Sequence, residues 1–380
     1  MPILLCPLAA HAHEDEALTL PSPQDRLSVS ARLDLRHLQA EAPASAALPL
    51  AGIAPLRQPQ WLWGGSGLAL SGQKNLTPTA QVQTTLSVTY SDQEKKFLLD
   101  EGWLGLRAPQ GQLRIGRMDP LPVLQPEPWP TANLLMQGLL GDDHWHGDGV
   151  QVGQGQTSDP VHWRLGAFRA RTYPGAQDTV WSLGSSVQLQ PRWQVSAALL
   201  AVPQLLRPSL AAGAHTHSTA TDQCGRALAC VDGQGGVLWL ASQWQNQTVQ
   251  PHWRVNAHLM LRQEEGQVLS HNGRADYRGQ VWGSLVELGY RLRPDWQLAL
   301  RHERLAIDHE LHGANVQLIA QDAGLLDNTH SPQRLGAKLS WQVRPGWTLH
   351  GSVLRDHSRA EAQWLSTLGL TWRPEGWRVK

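Results

Sequence analysis

Trp253-Arg-Val-Asn-Ala-His-Leu-Met-Leu-Arg262 is the stretch on which the fold turns. Trp253, Val255, Ala257, Leu259 and Leu261 alternate with Arg254, Asn256, His258 and Arg262. Successive side chains of a β-strand point to opposite faces, so this segment has one greasy face and one polar face. The rhythm recurs along the chain. In Arg26–His37, Leu27, Val29, Ala31, Leu33 and Leu35 oppose Ser28, Ser30, Arg32, Asp34 and Arg36. In Ala80–Ser91, Val82, Thr84, Leu86, Val88 and Tyr90 oppose Gln81, Gln83, Thr85, Ser87 and Thr89. In Arg334–Arg344, Leu335, Ala337, Leu339, Trp341 and Val343 oppose Gly336, Lys338, Ser340, Gln342 and Arg344. A soluble sandwich hides such greasy faces between two sheets, whereas a membrane barrel turns them to lipid. Alternation alone does not choose between the two.

A repeat favours the membrane. Pro-x-Trp-x-aliphatic occurs at Pro191-Arg-Trp193-Gln-Val195, Pro251-His-Trp253-Arg-Val255, Pro294-Asp-Trp296-Gln-Leu298 and Pro345-Gly-Trp347-Thr-Leu349. Looser copies are Pro160-Val-His-Trp163 and Pro374-Glu-Gly-Trp377. Proline fixes φ, suits a turn and cannot donate to a ladder, so each copy predicts a tight hairpin. The tryptophan then falls at one height on the greasy face, hairpin after hairpin. Its ring prefers the apolar zone and its N–H the wet boundary, which predicts an aromatic girdle. The competing reading is a soluble repeat fold, such as a propeller with a structural tryptophan.

Strands are expected near 26–37, 61–72, 79–91, 96–107, 111–118, 148–155, 160–170, 179–190, 193–203, 236–249, 252–264, 278–293, 296–308, 333–344, 347–358 and 361–373. The Pro-Trp turns are short. The opposite connections, Asp119–Gly147, Arg207–Gly236, Glu265–Arg278 and Asp308–Gln333, are long and polar. Short turns at one end and long loops at the other are the pattern of transmembrane barrels. The fold class expected is all-β: a transmembrane antiparallel β-barrel of about 16 strands, which must close because no backbone polar group can be left unpaired in lipid.

Composition agrees. The 380 residues include 18 Trp, 4 Tyr, 2 Phe, 35 Gly and 25 Pro, with a formal net charge of 0. Neutrality argues against nucleic-acid binding, which needs a basic surplus. Mean hydropathy is −0.34, and no apolar run reaches the ~18–20 residues of a spanning helix. Residues 1–12 read as an export signal, with Ala10-His11-Ala12 as a small-x-small cleavage site but no basic residue before Arg26. Leu4-Leu5-Cys6 is a poor lipoprotein box, since Leu5 stands where a small residue is required. Residues 13–25 are a lead-in, 26–373 the barrel and 374–380 a tail or cut strand.

Cys224 and Cys230 lie close together in a polar, Gly-containing segment, and in an exported chain such a pair suggests a disulfide pinning a surface loop. His144-Trp-His146 with Asp142 and Asp148, His11-Ala-His13 and His215-Thr-His217 could each offer two metal ligands, but spacing fixes no third. Solvated loop histidines are the preferred reading, and no metal or cofactor is expected. No Gly-x-Ser-x-Gly, P-loop or dinucleotide fingerprint is present, so the expectation is not an enzyme.

Parity places Arg32, Asp34, Arg36, Arg114, Arg164, Arg254, Arg262, Arg301, Glu303, Lys338 and Arg344 on the face toward the lumen. Basic residues outnumber acidic ones in that set. The opposite greasy faces are expected to meet outer-membrane lipid, and strand-end arginines to meet lipopolysaccharide phosphates.

Three stretches resemble the Gram-negative general porins, the trimeric barrels of proteobacterial outer membranes. Ser66-Gly-Leu-Ala-Leu-Ser-Gly72 with the strand Ala80–Tyr90 looks like the family's second hairpin. Glu101-Gly-Trp-Leu-Gly-Leu-Arg107 with Gly111-Gln-Leu-Arg-Ile-Gly-Arg117 looks like its strand–turn–strand. His146-Gly-Asp-Gly-Val-Gln-Val152 looks like the strand after its third loop. The likeness departs at Gln73-Lys74-Asn75, where acidic residues are usual, and at the end Trp372-Arg-Pro-Glu-Gly-Trp377-Arg-Val-Lys380, where a terminal aromatic is usual. The resemblance implies a homotrimeric pore for passive diffusion of small hydrophilic solutes and ions. It makes Asp119–Gly147 an inward-folded third loop. That loop carries Asp119, Glu127, Asp142, Asp143 and Asp148, so an eyelet with a basic wall and an acidic loop is expected. The alternatives are a substrate-specific channel or ligand-binding barrel with a disulfide-pinned loop, and a barrel enzyme.

Overall fold

The structure is a computed structural model. It describes residues 26–40, 60–92, 95–121, 124, 126, 129, 146–155, 159–170, 175–208, 229–246, 252–325, 331–358, 362–374 and 377–379. The expected signal and lead-in fall outside these residues.

One sheet contains all the strand segments. They are β1 (Arg26–Ala40), β2 (Gln60–Leu62), β3 (Gly67–Asn75), β4 (Gln81–Ser91), β5 (Lys96–Ala108), β6 (Gly111–Met118), β7 (Gly147–Gln154), β8 (Val161–Phe168) and β9 (Val180–Gln190). The second half comprises β10 (Trp193–Pro208), β11 (Ala229–Gln245), β12 (Trp253–Ser270), β13 (Gly273–Arg293), β14 (Trp296–His312), β15 (Gln333–Arg344), β16 (Trp347–His357), β17 (Gln363–Trp372) and β18 (Trp377–Val379). One short helix, α1 (Val316–Asp322), lies between β14 and β15. β2 and β3 pair in succession with one edge of β1, at Arg36↔Leu62 and Arg32↔Gly67, and so form one stave. β17 and β18 do the same on its other edge, at Leu33↔Trp372 and Val29↔Trp377. The result is a closed antiparallel barrel of 16 staves.

The Pro-Trp repeats make turns as expected. Pro191-Arg192, Pro294-Asp295 and Pro345-Gly346 each join two strands directly. Gly346 takes φ 78°, a left-handed conformation that a side chain disfavours. At the other end the strands are longer than expected. β12 and β13 continue to a turn at His271-Asn272, which replaces the expected loop Glu265–Arg278. β10, β11 and β14 also run past their predicted ends. The alternation persists there: Val268, Ala275 and Tyr277 are buried while Glu265, Asp276 and Arg278 are exposed. Polar residues on both chain-termini sides of that hairpin disguised a strand that had merely risen out of the greasy zone.

The faces fall as the alternation requires. Leu259 is 58% exposed on the outer face, whereas Arg301 is 2% exposed on the inner one. Leu68, Leu104, Ile115, Leu183, Leu335 and Leu368 also face outward. Outward aromatics form two belts. Near the short turns stand Trp163, Trp193, Trp244, Trp253, Tyr290, Trp296, Trp341, Trp347 and Trp372. Trp296 stacks on Trp341 at 5.4 Å, Trp253 lies 4.3 Å from Tyr290, and Trp347 lies 5.8 Å from Trp372. The Trp193 N–H donates to Ser242 Oγ (2.9 Å) and the Trp341 N–H to Asp295 (3.2 Å), each at the polar rim. Toward the long loops stand Trp61, Phe97, Trp181, Trp282 and Trp364. Trp364 and Trp372 are eight positions apart on β17, as are Trp282 and Tyr290 on β13. That is roughly 26 Å along a strand, or about 20 Å of height at a tilt of ~40°, close to the apolar thickness of such barrels. Among the residues whose side chains are described, the short-turn belt runs from β8 to β17; at its height β1 to β7 present aliphatics, among them Val29, Leu70, Val82, Leu106, Leu113 and Val152.

Candidate functional site: the inner wall

The inner wall divides into three zones. Near the short turns, β3 to β6 carry a chain of neutral amides. Gln81 Nε2 donates to Asn75 (2.9 Å), Gln83 to Gln81 (2.9 Å), Gln112 to Gln83 (2.7 Å), and Arg114 to Gln112 (3.1 Å). Arg114 also lies 4.4 Å over the Trp103 ring.

The second zone is charged. Arg301 Nη2 sits 2.6 Å from Glu287 and its Nη1 3.4 Å from Glu303. Arg334 Nε lies 3.2 Å from Asp356. Glu264 is held by Arg262 (2.9 Å) and by Arg207. On β1, Asp34 receives Arg32 (2.6 Å) and Arg36 (3.3 Å). Among the described residues the fully buried charges balance: Arg114, Arg164, Arg207, Arg254, Arg262, Arg301 and Arg334 face Asp34, Asp100, Glu101, Glu264, Glu287, Glu303 and Asp356. The expected basic excess of the wall is therefore confined to partly exposed groups, chiefly Arg32, Arg36 and Lys338. Unpaired buried charge is costly, so a wall arginine needs an acid neighbour. Glu264 and Glu287 supply it on the inward parity of β12 and β13.

The third zone is apolar. Leu200, Trp239, Met260, Leu285 and Leu305 face inward from β10 to β14. Met118 and Leu121, at the start of the β6–β7 connection, belong to the same buried cluster, as do Ile319 and Ala320 of α1. The wall is thus not uniformly polar. Here the inward face greets other side chains rather than water.

Two described residues deep in the β6–β7 connection also touch the wall. The Leu124 N–H donates to Ser196 Oγ on β10 (3.0 Å). The Trp129 N–H donates to Glu287 on β13 (2.5 Å), and its carbonyl accepts from Arg36 on β1 (3.4 Å). Arg301 lies 4.7 Å and Lys338 5.3 Å from the Trp129 ring. At the far end of this connection, His146 Nδ1 meets Asp100 (3.0 Å) and its Nε2 lies 3.9 Å from Glu101, both on β5. Burial depresses the His146 pKa, but the Asp100 bond and the fields of Asp100, Glu101 and Asp119 outweigh it and raise the value above 6.5.

The residues named from sequence fall as follows. Arg32, Asp34, Arg36, Arg114, Arg164, Arg254, Arg262, Arg301, Glu303 and Lys338 all face inward. Arg344 does not: a bulge between Gln342 and Arg344 shifts the register, and Arg344 stacks 4.7 Å over Trp347 at the short-turn rim. Asp148 is also corrected. It belongs to β7 on the outward parity of Val150 and Val152, and it lies 3.7 Å from Arg117. Asp119 accepts from the Leu121 N–H (2.7 Å) at the base of the connection. Glu127, Asp142, Asp143 and Cys224 lie outside the described residues. Cys230, on β11, is disulfide-bonded. Sequence reasoning missed Trp129, Glu287, Glu264, Arg207, Arg334 and Asp356. Parity along β13 marks Glu287 as inward, and β16 marks Asp356. Nothing in the sequence marks Trp129.

No family model matches the chain, and no curated protein does. Solved structures do. The outer membrane channel DcaP of Acinetobacter baumannii has a TM-score of 0.64 at 8% identity, over 93% of this chain and 98% of that one. The anion-selective porin of Comamonas acidovorans has a TM-score of 0.59 at 9% identity, over 92% and 100%. A trimer form of OmpT, an outer membrane protein of Vibrio cholerae, has a TM-score of 0.60 at 8% identity, over 92% and 99%. Identity this low speaks to architecture, and near-complete coverage of both chains leaves little of either outside the match. The chain has the fold of the Gram-negative outer-membrane porins.

Proposed function

We propose that this protein is an outer-membrane channel through which small hydrophilic solutes and ions diffuse passively. One observation carries the reading: a closed ring of staves turns leucine and tryptophan outward and arginine, glutamate and glutamine inward. A soluble protein would do the reverse. Lipid takes the outer face, and water with its solutes takes the inner one.

In this reading the segment Asp119–Gly147 folds into the lumen as its constriction. The contacts of Leu124 with β10, and of Trp129 with β1, β13, β14 and β15, support it. Arg32, Arg36 and Lys338 line the opening, and the acidic character of the segment, from Glu127, Asp142 and Asp143, makes it their counterpart in the eyelet. Cys224 and Cys230 pair and pin the β10–β11 loop. The protein works as a homotrimer, supported by the gap in the short-turn belt: the described residues of β1 to β7 carry aliphatics at the short-turn boundary because another copy, not lipid, covers them there. A second reading, a substrate-specific channel, is favoured by the apolar zone of β10 to β14, which narrows the free path to one side.

Liposome swelling with sugars of graded size tests both. A rate that falls smoothly with size and does not saturate supports passive diffusion. Saturation at millimolar sugar supports the specific channel. No swelling and no bilayer conductance from a folded, heat-modifiable preparation defeats both.

A further inference from the structure

At the short-turn mouth the inner face of β3 to β6 is set out in two adjoining rows. The ladder places Asn75↔Gln81↔Arg107↔Gln112 in the first and Gln73↔Gln83↔Gly105↔Arg114 in the second. Five of these eight residues carry carboxamides. A cavity of about 700 Å³ opens against the first row, Gln73 and the turn Thr77–Ala80.

Gly105 makes a continuous chain of amides possible. It stands between Gln83 and Arg114 and has no side chain, so Gln112 on β6 reaches over β5 to Gln83. A Cβ at Gly105 would lie 3.1 Å from the Trp103 ring and 3.3 Å from Arg114 Cγ. The bonds all run one way: Arg114 donates to Gln112, Gln112 to Gln83, Gln83 to Gln81 and Gln81 to Asn75. A cation at the head polarises each link and strengthens the next.

A carboxamide has two N–H donors and a carbonyl with two lone pairs. The chain uses one donor and one lone pair of Gln112, Gln83 and Gln81. Each can offer the second donor and the second lone pair to a guest, side by side on one planar head. A guest matched to that array donates and accepts at neighbouring atoms. Vicinal hydroxyls do both, whereas a carboxylate only accepts and an ammonium only donates. The amides supply no net charge to balance a charged guest.

We propose that Gln81, Gln83 and Gln112, with Asn75 and Arg107 beside them, form a binding subsite for a neutral oligosaccharide at the short-turn mouth. The sugar lies across β3 to β6, and its vicinal hydroxyls bridge successive amides. This names a solute class for the channel proposed above and rests on that reading.

Saturation-transfer NMR on the detergent-solubilised full chain tests it. Maltotriose is the probe, compared with its aldonic acid and with a methyl-capped poly(ethylene glycol) of matched length, which accepts hydrogen bonds but does not donate them. The Gln81→Met/Gln112→Met double variant is set against wild type. Gln194→Met, which removes an inward amide of β10 at the same mouth, is the control. A heat-modifiable gel shift confirms closed barrels, and Gln112→Met alone takes the place of the pair if the pair does not close. The expected result is binding of maltotriose by wild type and control. In the double variant it weakens roughly tenfold or more, through the loss of at least two neutral hydrogen bonds. No binding by wild type, equal binding by wild type and double variant, or equal loss in the control overturns the subsite. Binding of the capped polymer as tight as that of maltotriose shows a site that reads size alone and overturns the hydroxyl assignment. Tighter binding of the aldonic acid overturns a neutral sugar as the ligand. Bilayer current is recorded on the same preparations: absence of conductance defeats the channel reading, while the NMR comparison stands by itself.

Discussion

Trp129 and Glu287 are 158 positions apart in the chain and 2.5 Å apart in space. The bond ties Trp129 of the β6–β7 connection to β13. Around it Arg301 makes a salt bridge with Glu287 and covers the indole face, so one carboxylate anchors both a loop and a wall cation. Replacing Trp129 with Ala removes the anchor and a buried ring. Such truncations cost about 3–5 kcal/mol in a packed site. The expected outcome is a larger and noisier single-channel conductance, whereas Trp129→Phe, which loses only the N–H, gives a smaller change. Unchanged conductance in Trp129→Ala would mean that this residue does not bound the path.

Lys338, Arg36 and Arg32 are wall cations near Trp129 or Asp34 that retain exposure. In a narrow, low-dielectric neck such charges set the sign of the favoured ion. Arg36→Gln with Lys338→Gln should move the zero-current potential in a salt gradient toward cation preference, with little loss of conductance. Arg164→Gln, which removes a buried cation, should instead lower stability. A zero-current potential that stays put would show that the field arises elsewhere.

The outer face distinguishes lipid from water. Leu259 lies in the middle of the greasy band on β12. Leu259→Arg should destabilise the barrel in lipid vesicles by about 2–4 kcal/mol, as arginine does at a bilayer midplane. The same change on a water-facing strand is worth a few tenths. Denaturant titration of refolded protein reads the difference.

His146 gives a pH dependence whose sign follows from its partners. Its folded pKa lies above 6.5 because Asp100, Glu101 and Asp119 favour the imidazolium despite burial. The stability it adds is complete below 6.5 and is lost as pH climbs through the raised value. Unfolding midpoints measured from mildly acidic to mildly alkaline pH should fall over that window in wild type. His146→Gln should flatten that fall. An identical profile in the variant would remove His146 from the account.

Chemical cross-linking checks the gap in the short-turn belt. Cysteines placed at Leu70 and Leu113 should join copies through a short bifunctional thiol reagent in native membranes. Cysteine at Leu259 should not. Joining at all three positions, or at none, would leave the gap unconnected with assembly.

Much of this molecule was legible because lipid imposes a strict two-residue code. β5, β6 and β15 begin and end within a residue of the alternation, and Trp296 and Trp347 follow their prolines into the belt. The misses share a cause. Where a strand leaves the greasy zone, as in β12 and β13 beyond Gln263 and Gln280, its outward side chains become polar and the code fades. Where a bulge intervenes, as before Arg344, parity inverts without a sequence mark. Where the interior is packed rather than wet, as at Leu200 and Trp239, an inward leucine breaks the assumption that inside means polar. Asp148, grouped with the acids of the loop, stands at the head of β7. Trp129 could not be found at all, because a lone tryptophan in a long connection shows neither period nor partner.

The seam between β1 and β17 joins Leu33 to Trp372 and Ala40 to Leu365. With Leu27 against Val379 where β18 continues the same stave, this seam spans the greatest stretch of polypeptide of any described ladder, so its loop-closure entropy is the largest to be overcome and its pairing the slowest to nucleate. Until those two edges meet, each offers a row of bare amides and carbonyls to any strand nearby. Insertion into a bilayer must therefore wait on, or coincide with, the joining of these two staves.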